Sequence, residues 1–371
     1  MIFGGSFDPT HAGHKALLAA AAREIKPDIT HVFPAYQSPF KERSATPFEL
    51  RMKMAENAFK NIPARLIFDN FEYKCQKKTF AHELIEHVQK IYDRPEIFML
   101  VGTDALNEIP AWKNPDLILK NATIVSGRRG GAARGKPPLK YYALKTPMPE
   151  ISSSQIRLQI MLAGKAGAEA GPSANIINKH RLYYLNLHDW LKKNLKKERY
   201  EHTLAVAEMS VKLAKANGAD PERAALAALL HDSGKSMDGK ALAAYAKKHS
   251  IKPPFYNLIC VNAPELLHSY VSARMAQKLF GVSDKIILNA VERHTLGALG
   301  MGLYDKILYV ADIASKDRKY KGAAALRALA FKNLDAAMLA AARVKLVFTA
   351  DAGKWLCPQG YIVWNHLLKK F

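Results

Sequence analysis

The spacing of apolar residues changes character once along the chain. In the first half, short apolar runs alternate with stretches of helical period. The pattern predicts a strand at the start, helix over 15–25 ended by Pro27, strand over 31–34, and a loop opening at Pro39-Phe40-Lys41. It continues with an amphipathic helix over 48–59, strand over 66–69, and helix over 79–92 with Phe80, Leu84, Ile85 and Val88 on one face. Strands over 97–101, 122–126 and 141–144 follow. Such alternation predicts an α/β Rossmann-like domain: a parallel sheet with helices on both faces and ligands at the carboxyl ends of the strands. Only Met1, Ile2 and Phe3 precede Gly4. A central strand usually runs about five to six residues, so either this one is short or the true start lies upstream. An Ala/Gly-rich stretch over 163–174 reads as a loop before a small helix at 176–184.

From residue 187 the strand pattern stops. Helices are predicted over 187–217, 221–230, 239–249, 264–280, 284–293, 303–314, 322–330 and 334–349, an all-α helical bundle. The expected division is therefore 1–185 and 187–371. No repeat relates the two halves.

Composition narrows the setting. A length of 371 residues suits two domains, and 49% hydrophobic residues suffice for packed cores. Cys75, Cys260 and Cys357 lie far apart without metal-type spacing, which predicts a reducing, cytoplasmic setting. No apolar run is long enough for a membrane span and no signal-peptide pattern is present, so no membrane partner is expected. The net charge of +22 favours polyanions such as nucleotides, polyphosphates or RNA. Lys192-Lys193 and Lys196-Lys197 read as a solvated helix face, and no RNA-recognition or zinc-finger pattern is present, so no specific nucleic acid is expected. Oligomeric state stays open.

Candidate chemistry concentrates in a few words. Gly4 to His14, GGSFDPTHAGH, joins a strand to a helix through a Gly-Gly turn. Gly4 and Gly5 let backbone N–H groups come close to a ligand, and the helix that follows points its positive end at the same place, which suits phosphate. His11 and His14, three apart, share a face. This stretch resembles the HxGH signature of the nucleotidyltransferase superfamily, and the resemblance adds Ser6 and Phe7 to the ATP contacts. Ile151-Ser152-Ser153-Ser154-Gln155-Ile156-Arg157 resembles that superfamily's ISSTxIR element. Alone, its serines would read as a helix cap. Between them, GTDALNEIPAWK at 102–113 resembles a segment of bacterial nicotinate mononucleotide adenylyltransferase; KTFAHEL at 78–84 and SPFK at 38–41 occupy two further family positions. The resemblance covers about residues 1–185. It implies adenylyl transfer from ATP to nicotinate mononucleotide with Mg²⁺. By the same resemblance His14 lies beside the α-phosphate, His11 near the β-phosphate with Lys41 nearby, and Ser152, Ser153 and Arg157 hold the outer phosphates. Gly102 and Asp104 position ribose or mononucleotide, and Trp112 stacks on the pyridine ring. Without its flanks, Trp112 would read as a core or rim aromatic and Asp104 as a helix N-cap. Phe40, Ala81 and Glu83 depart from the family's His, Thr and Asp, leaving the nicotinate-versus-nicotinamide preference open.

In the second half, ERYEHT, LLHDSGK, LLHS, ERHT and YVADIA place His202, His231, Asp232, His268, His294 and Asp312 in order. Six His and Asp ligands suit two first-row transition-metal ions. The words resemble the HD-domain symmetrical bis(5′-nucleosyl)-tetraphosphatases over nearly all of 187–366. That implies a di-iron or similar centre on those six residues, cleavage of diadenosine tetraphosphate into two ADP, and Lys235 and Arg318 as polyphosphate contacts. Ser315 and Lys316 stand where the family has Glu and Pro. His31, His82, His87, His180, His188, His249 and His366 read as structural. Rival readings are an HD module that senses a nucleotide without cleaving it, a phosphopantetheine-type adenylyltransferase, and an RNA-binding protein resting on charge alone.

Overall fold

The computed structural model describes residues 1–36, 46–129 and 139–369, and these form two compact units. The first comprises Met1–Ile160 and Lys165–Tyr183; the second comprises Met161–Gly164 and Tyr184–Phe371.

The first unit holds a six-stranded sheet, every neighbouring pair parallel. Its strands are β1 (Ile2–Gly5), β2 (Thr30–Pro34), β3 (Leu66–Phe68), β4 (Phe98–Val101), β5 (Thr123–Arg129) and β6 (Tyr142–Met148), in the order β3-β2-β1-β4-β5-β6. Period-two alternation divides the side chains between two cores. Phe3, Val32, Leu100 and Val125 pack with Leu17, Leu18 and Phe59 of helices Ala12–Ile25 and Phe48–Phe59. Ile2, Phe33, Met99 and Ile124 pack with Leu84, Ile85 and Ile118 of helices Ala81–Ile91 and Pro115–Asn121. Helices thus cover both faces. β1 and β4 each have four residues and pair at Ile2 with Met99 and Phe3 with Leu100.

The stretch over 163–174 corrects the sequence reading. Ala168–Ser173 is a 3₁₀ segment and Ala174–Lys179 a helix that ends well before Tyr184. Ala170 and Ser173 are fully buried, and the Ser173 hydroxyl donates to the Thr10 carbonyl at 2.8 Å. An open loop would be solvated; this segment is packed against the residues that precede the first helix. Short helices Phe71–Cys75, Thr103–Glu108 and Pro115–Asn121 are too brief to show a period.

The second unit is helical, with no strand among its described residues. The helix expected over 187–217 is two, Leu185–Asn194 and Lys197–Ala216, because Leu195 and Lys196 are extended between them. Pro264–Leu267 is a 3₁₀ turn feeding His268–Phe280. Tyr256–Asn262 and Pro358–Leu368 are helices that sequence periodicity did not reveal. Helix Lys197–Ala216 packs on Pro221–Leu230 and Leu303–Ala314, and Lys285–Arg293 packs on His268–Phe280 and Leu303–Ala314. Among the described residues no helix is long and apolar enough to cross a membrane.

Candidate functional site

In the first unit the strand order reverses between β1 and β4, the point at which sheets of this kind bind ligands beyond the carboxyl ends of their strands. β1 ends on Gly4-Gly5, and Gly102 follows β4. A Cβ on Gly5 would come within 3.1 Å of the Phe7 ring, so glycine there lets Phe7 fold back. Phe7 is buried at φ 48°, with its ring 5.1 Å from His14 centroid to centroid. A Cβ on Gly102 would meet only open space.

His11 caps helix Ala12–Ile25. Its Nδ1 accepts from the Gly13 N–H at 3.1 Å, and Nδ1 of His14 accepts from the His11 N–H at 3.3 Å. Each neutral ring therefore carries its proton on Nε2, where it can be donated. The rings lie 3.8 Å apart, centroid to centroid.

The loop leading to these histidines is held at successive carbonyls. Arg51, 1% exposed, donates to the carbonyls of Ser6 at 2.9 Å, Tyr36 at 3.2 Å and Thr46 at 2.8 Å. Arg157 donates to the Asp8 carbonyl at 2.6 Å and to Ser154 Oγ at 3.0 Å; Ser153 donates to the Pro9 carbonyl at 2.9 Å. Tyr183 donates to the Asp8 carboxylate at 2.7 Å. Burial, and then the Asp8 charge, raise the Tyr183 phenol well above its ordinary pKa. Burial pushes the Glu72 carboxyl up to about 7, even though it accepts from the Tyr36 N–H at 3.2 Å. Ser152 is a helix cap: its hydroxyl accepts from the Gln155 N–H at 3.2 Å, and the Gln155 side chain accepts from the Ser152 N–H at 2.9 Å. Gly102, not Asp104, is the N-cap of helix Thr103–Glu108; Asp104 lies in its first turn. Trp112 is half-buried against the second apolar core. Lys41, with the rest of SPFK, lies outside the described residues. Arg51, Ser173 and Tyr183 were missed because each is remote in sequence from the loop it holds.

In the second unit all six predicted ligands converge. The motif histidines His231, His268 and His294 each sit one step past a helical or 3₁₀ turn. Each donates Nδ1–H to the carbonyl three residues earlier: Ala228 at 2.5 Å, Glu265 at 2.7 Å and Val291 at 2.7 Å. His202 donates Nδ1–H to Asp317 at 2.7 Å. The Nε2 lone pairs are thereby turned inward, a usual arrangement for metal-binding imidazoles. Asp232 faces two groups. Its Oδ2 lies 3.5 Å from His231 Nε2, and its Oδ1 lies 3.3 Å from His268 Nε2 and 3.6 Å from His294 Nε2. Asp312 Oδ1 is 3.2 Å from His202 Nε2. The triads His202/His231/Asp232 and Asp232/His268/His294 each bring ligand atoms within 4.8 Å of one another, sharing Asp232.

These residues fit divalent metal. His231 Nε2 is buried and finds no hydrogen-bond partner among the described residues. The Nε2 atoms of His268 and His294 face each other at 3.3 Å with both ring protons already spent on carbonyls. Burial pushes His231 down to about 4 and also lowers His268 and His294, so all three are neutral near pH 7, as ligation requires. Burial alone would raise the Asp232 carboxyl, yet it is held well below the usual carboxylate range.

A cavity of 470 Å³ opens on the cluster, with Asp232, His268, His294 and Asp312 on its wall together with Arg199, Lys235, Arg318, Lys345 and Lys354. Arg199 binds Asp232 at 2.8 Å and Arg318 binds Asp312 at 2.8 Å. Lys345 lies 3.3 Å from Asp312 Oδ2 and 3.8 Å from the centre of the Tyr309 ring. Lys345 and Arg199 were not singled out from the sequence. Arg199 had a signal, standing three residues before His202 on the same helix face; Lys345 is a lone lysine on an Ala-rich helix and had none. Lys316 pairs at the surface with Glu208 at 2.8 Å, and Ser315 is buried at the end of helix Leu303–Ala314. Two histidines read as structural are engaged away from these sites. His31 bridges Asp69 and Tyr92 at 3.0 Å each, and His188 bridges the Met161 carbonyl at 2.7 Å and the Tyr200 hydroxyl at 2.9 Å.

Comparison with known proteins agrees with this two-part layout. Residues 2–159 match the cytidylyltransferase-like family and residues 199–317 the HD domain family. A Mycoplasma genitalium protein named "Probable nicotinate-nucleotide adenylyltransferase/Ap4A hydrolase" is 32% identical over 328 residues, 86% of this chain and 88% of that one. A Helicobacter pylori "Probable nicotinate-nucleotide adenylyltransferase" is 33% identical over 160 residues, 43% of this chain and 91% of that one. The symmetrical bis(5′-nucleosyl)-tetraphosphatase of Bacillus subtilis is 32% identical over 178 residues, 48% of this chain and 94% of that one. The chain belongs to the nicotinate-nucleotide adenylyltransferase/Ap4A hydrolase family, in which a cytidylyltransferase-like domain is fused to an HD domain.

Proposed function

We infer that the chain is a bifunctional nucleotide enzyme with adenylyl transfer in 1–185 and hydrolysis in 187–371. The first part transfers AMP from ATP to nicotinate mononucleotide, giving nicotinate adenine dinucleotide and pyrophosphate, a step of NAD biosynthesis. A mononucleotide phosphate oxygen attacks the α-phosphorus, and the bond from that phosphorus to the β-phosphate bridging oxygen breaks. No protein nucleophile is required; the work is positioning and charge stabilisation. The observation supporting this is the adjacent pair His11 and His14, whose Nδ1 atoms accept backbone N–H groups and whose Nε2–H groups can donate to the α- and β-phosphate oxygens. Lys41 and Mg²⁺ share the charge, the positive start of the helix opened by Ser152 and Ser153, with the remaining donors of Arg157, serves the outer phosphates, and Trp112 with Gly102 and Asp104 receives the mononucleotide.

The second part cleaves Ap4A into two ADP. Water oxygen joins one central phosphorus, the bridge to the other central phosphorus breaks, and the second ADP leaves. Asp232 carries this reading, because its two oxygens face two histidine groups, as a carboxylate shared by two ions would. His202, His231, Asp232, His268, His294 and Asp312 would hold a pair of transition-metal ions, with iron our assignment. Such a pair supplies Lewis-acid charge stabilisation and lowers the pKa of water. Lys235, Arg318, Arg199 and Lys345 meet the polyphosphate charge. A cytoplasmic setting suits both substrates and the scarcity of cysteine.

Cleavage in ¹⁸O-water tests the second reaction. One ADP of each pair takes up a single ¹⁸O at its terminal phosphate. AMP plus ATP, or binding without turnover, contradicts it. For the first reaction, ATP and nicotinate mononucleotide yield the dinucleotide and pyrophosphate in equal amounts.

A further inference from the structure

The cavity above the His/Asp cluster has a wall beyond the part of the chain that matches the HD family, which ends at residue 317. That wall is made by helix Leu334–Asp351 and the turn leading to helix Pro358–Leu368. The turn is set by the backbone. Gly353 is left-handed at φ 62°, its N–H donates to the Ala350 carbonyl at 2.9 Å, and the Lys354 N–H donates to the Thr349 carbonyl at 3.0 Å. Lys354 and Trp355 are thereby presented to the cavity in a fixed place.

Two aromatic rings line this wall. Phe348 is 69% exposed, so it adds little to the core. Trp355 is half-buried, resting on the apolar cluster that contains Leu242, Ile259 and Leu267 while also lining the cavity. Aromatic faces at the mouth, cations along the walls and a metal-fitting cluster behind them make the composition of a nucleotide site: faces for a base, cations for its phosphates. We propose that Phe348 and Trp355 form the nucleoside-binding lip of the hydrolase site, with Lys354 meeting the adjoining phosphate. The occupant is one purine nucleoside end of the dinucleoside polyphosphate, or the nucleoside diphosphate product. This rests on the hydrolase reading above.

Photolabelling the full-length, metal-loaded protein with 8-azido-ADP reads the location directly, and mass spectrometry separates labels in the two units. The expected result is label on the peptide spanning 348–356. Phe348→Ser, at an exposed position that leaves the fold intact, and Trp355→Ala each raise KM for Ap4A about tenfold while kcat changes much less. Label in the second unit confined to other segments, with KM unchanged in both variants, overturns the proposal. A wild-type chain that takes the label on 348–356 but releases no ADP from Ap4A refutes the hydrolase reading while the nucleoside lip stands.

Discussion

The two units solve the same problem, handling phosphate charge, with opposite materials. In the first, a backbone loop is immobilised. Arg51, Arg157, Ser153, Ser173 and Tyr183 each donate into residues 6–10, and the candidate donors His11 and His14 are themselves fixed by backbone N–H groups. In the second, side-chain lone pairs are concentrated without enough protons to satisfy them, as at His231 Nε2 and between His268 and His294. A fixed loop keeps its shape without a ligand. A convergent set of lone pairs demands a cation. The first site should therefore tolerate loss of transition metal and the second should not.

The largest effect that separates the two is His231→Ala. It removes a buried candidate ligand, and Ap4A cleavage falls below detection while adenylyl transfer stays at the wild-type rate. Metal analysis of the variant shows reduced content. The converse change, His14→Ala, lowers kcat for adenylyl transfer about 10²–10³-fold, about 3–4 kcal/mol of barrier, and leaves hydrolysis untouched. Steady-state kinetics of both reactions on each variant check the pair.

Lys345 sharpens the picture of the second site. Burial lowers its pKa while the neighbouring Asp312 favours the charged form, so it is a desolvated cation beside the cluster. Lys345→Met should lower kcat for Ap4A about 10²-fold, with Lys345→Arg recovering part of it and metal content unchanged in both. Trp112→Ala is milder. KM for the mononucleotide rises about tenfold while kcat holds, the result for a stacking group that acts equally on ground and transition states. An unchanged KM would favour a different acceptor.

The smallest effect is on stability. Burial raises Glu72 to about 7 from an ordinary value of 4.5, so the folded chain keeps a proton that the unfolded chain loses. Its stabilising contribution is fully present below the unfolded value and is lost as pH rises through the folded one. Glu72→Gln removes that dependence. Denaturant unfolding should show the variant gaining on the wild type by about 1–3 kcal/mol between pH 4 and pH 8.

The two sites were also legible to different degrees. GGSFDPTHAGH is contiguous, and its strand, turn and cap all follow from local chemistry, so the motif and helix Ala12–Ile25 could be read directly. The buttress behind it could not: Arg51 looks like one charge on an amphipathic helix, and AGKAGAEAGPSA reads as a surface loop until Ser173 is seen bonded to Thr10. In the second unit the candidate ligands are scattered over more than a hundred residues, yet each carries a chemical label, His or Asp in a helical word. The surrounding cations do not. Lys345 resembles any solvated lysine until folding buries it against Asp312 and Tyr309. The break at Leu195-Lys196 was hidden because Leu187, Trp190, Leu191 and Leu195 keep helical spacing through it.

The most direct test of the contrast is to strip the protein with a chelator, restore Mg²⁺ alone, and assay both reactions in one mixture. Imidazole-rich sites as a class favour first-row transition ions over Mg²⁺. Nicotinate adenine dinucleotide should therefore form at the untreated rate while Ap4A stays intact, and adding ferrous ion anaerobically should bring back two ADP. Full Ap4A cleavage with Mg²⁺ alone, or loss of both activities that only ferrous ion restores, would contradict the account.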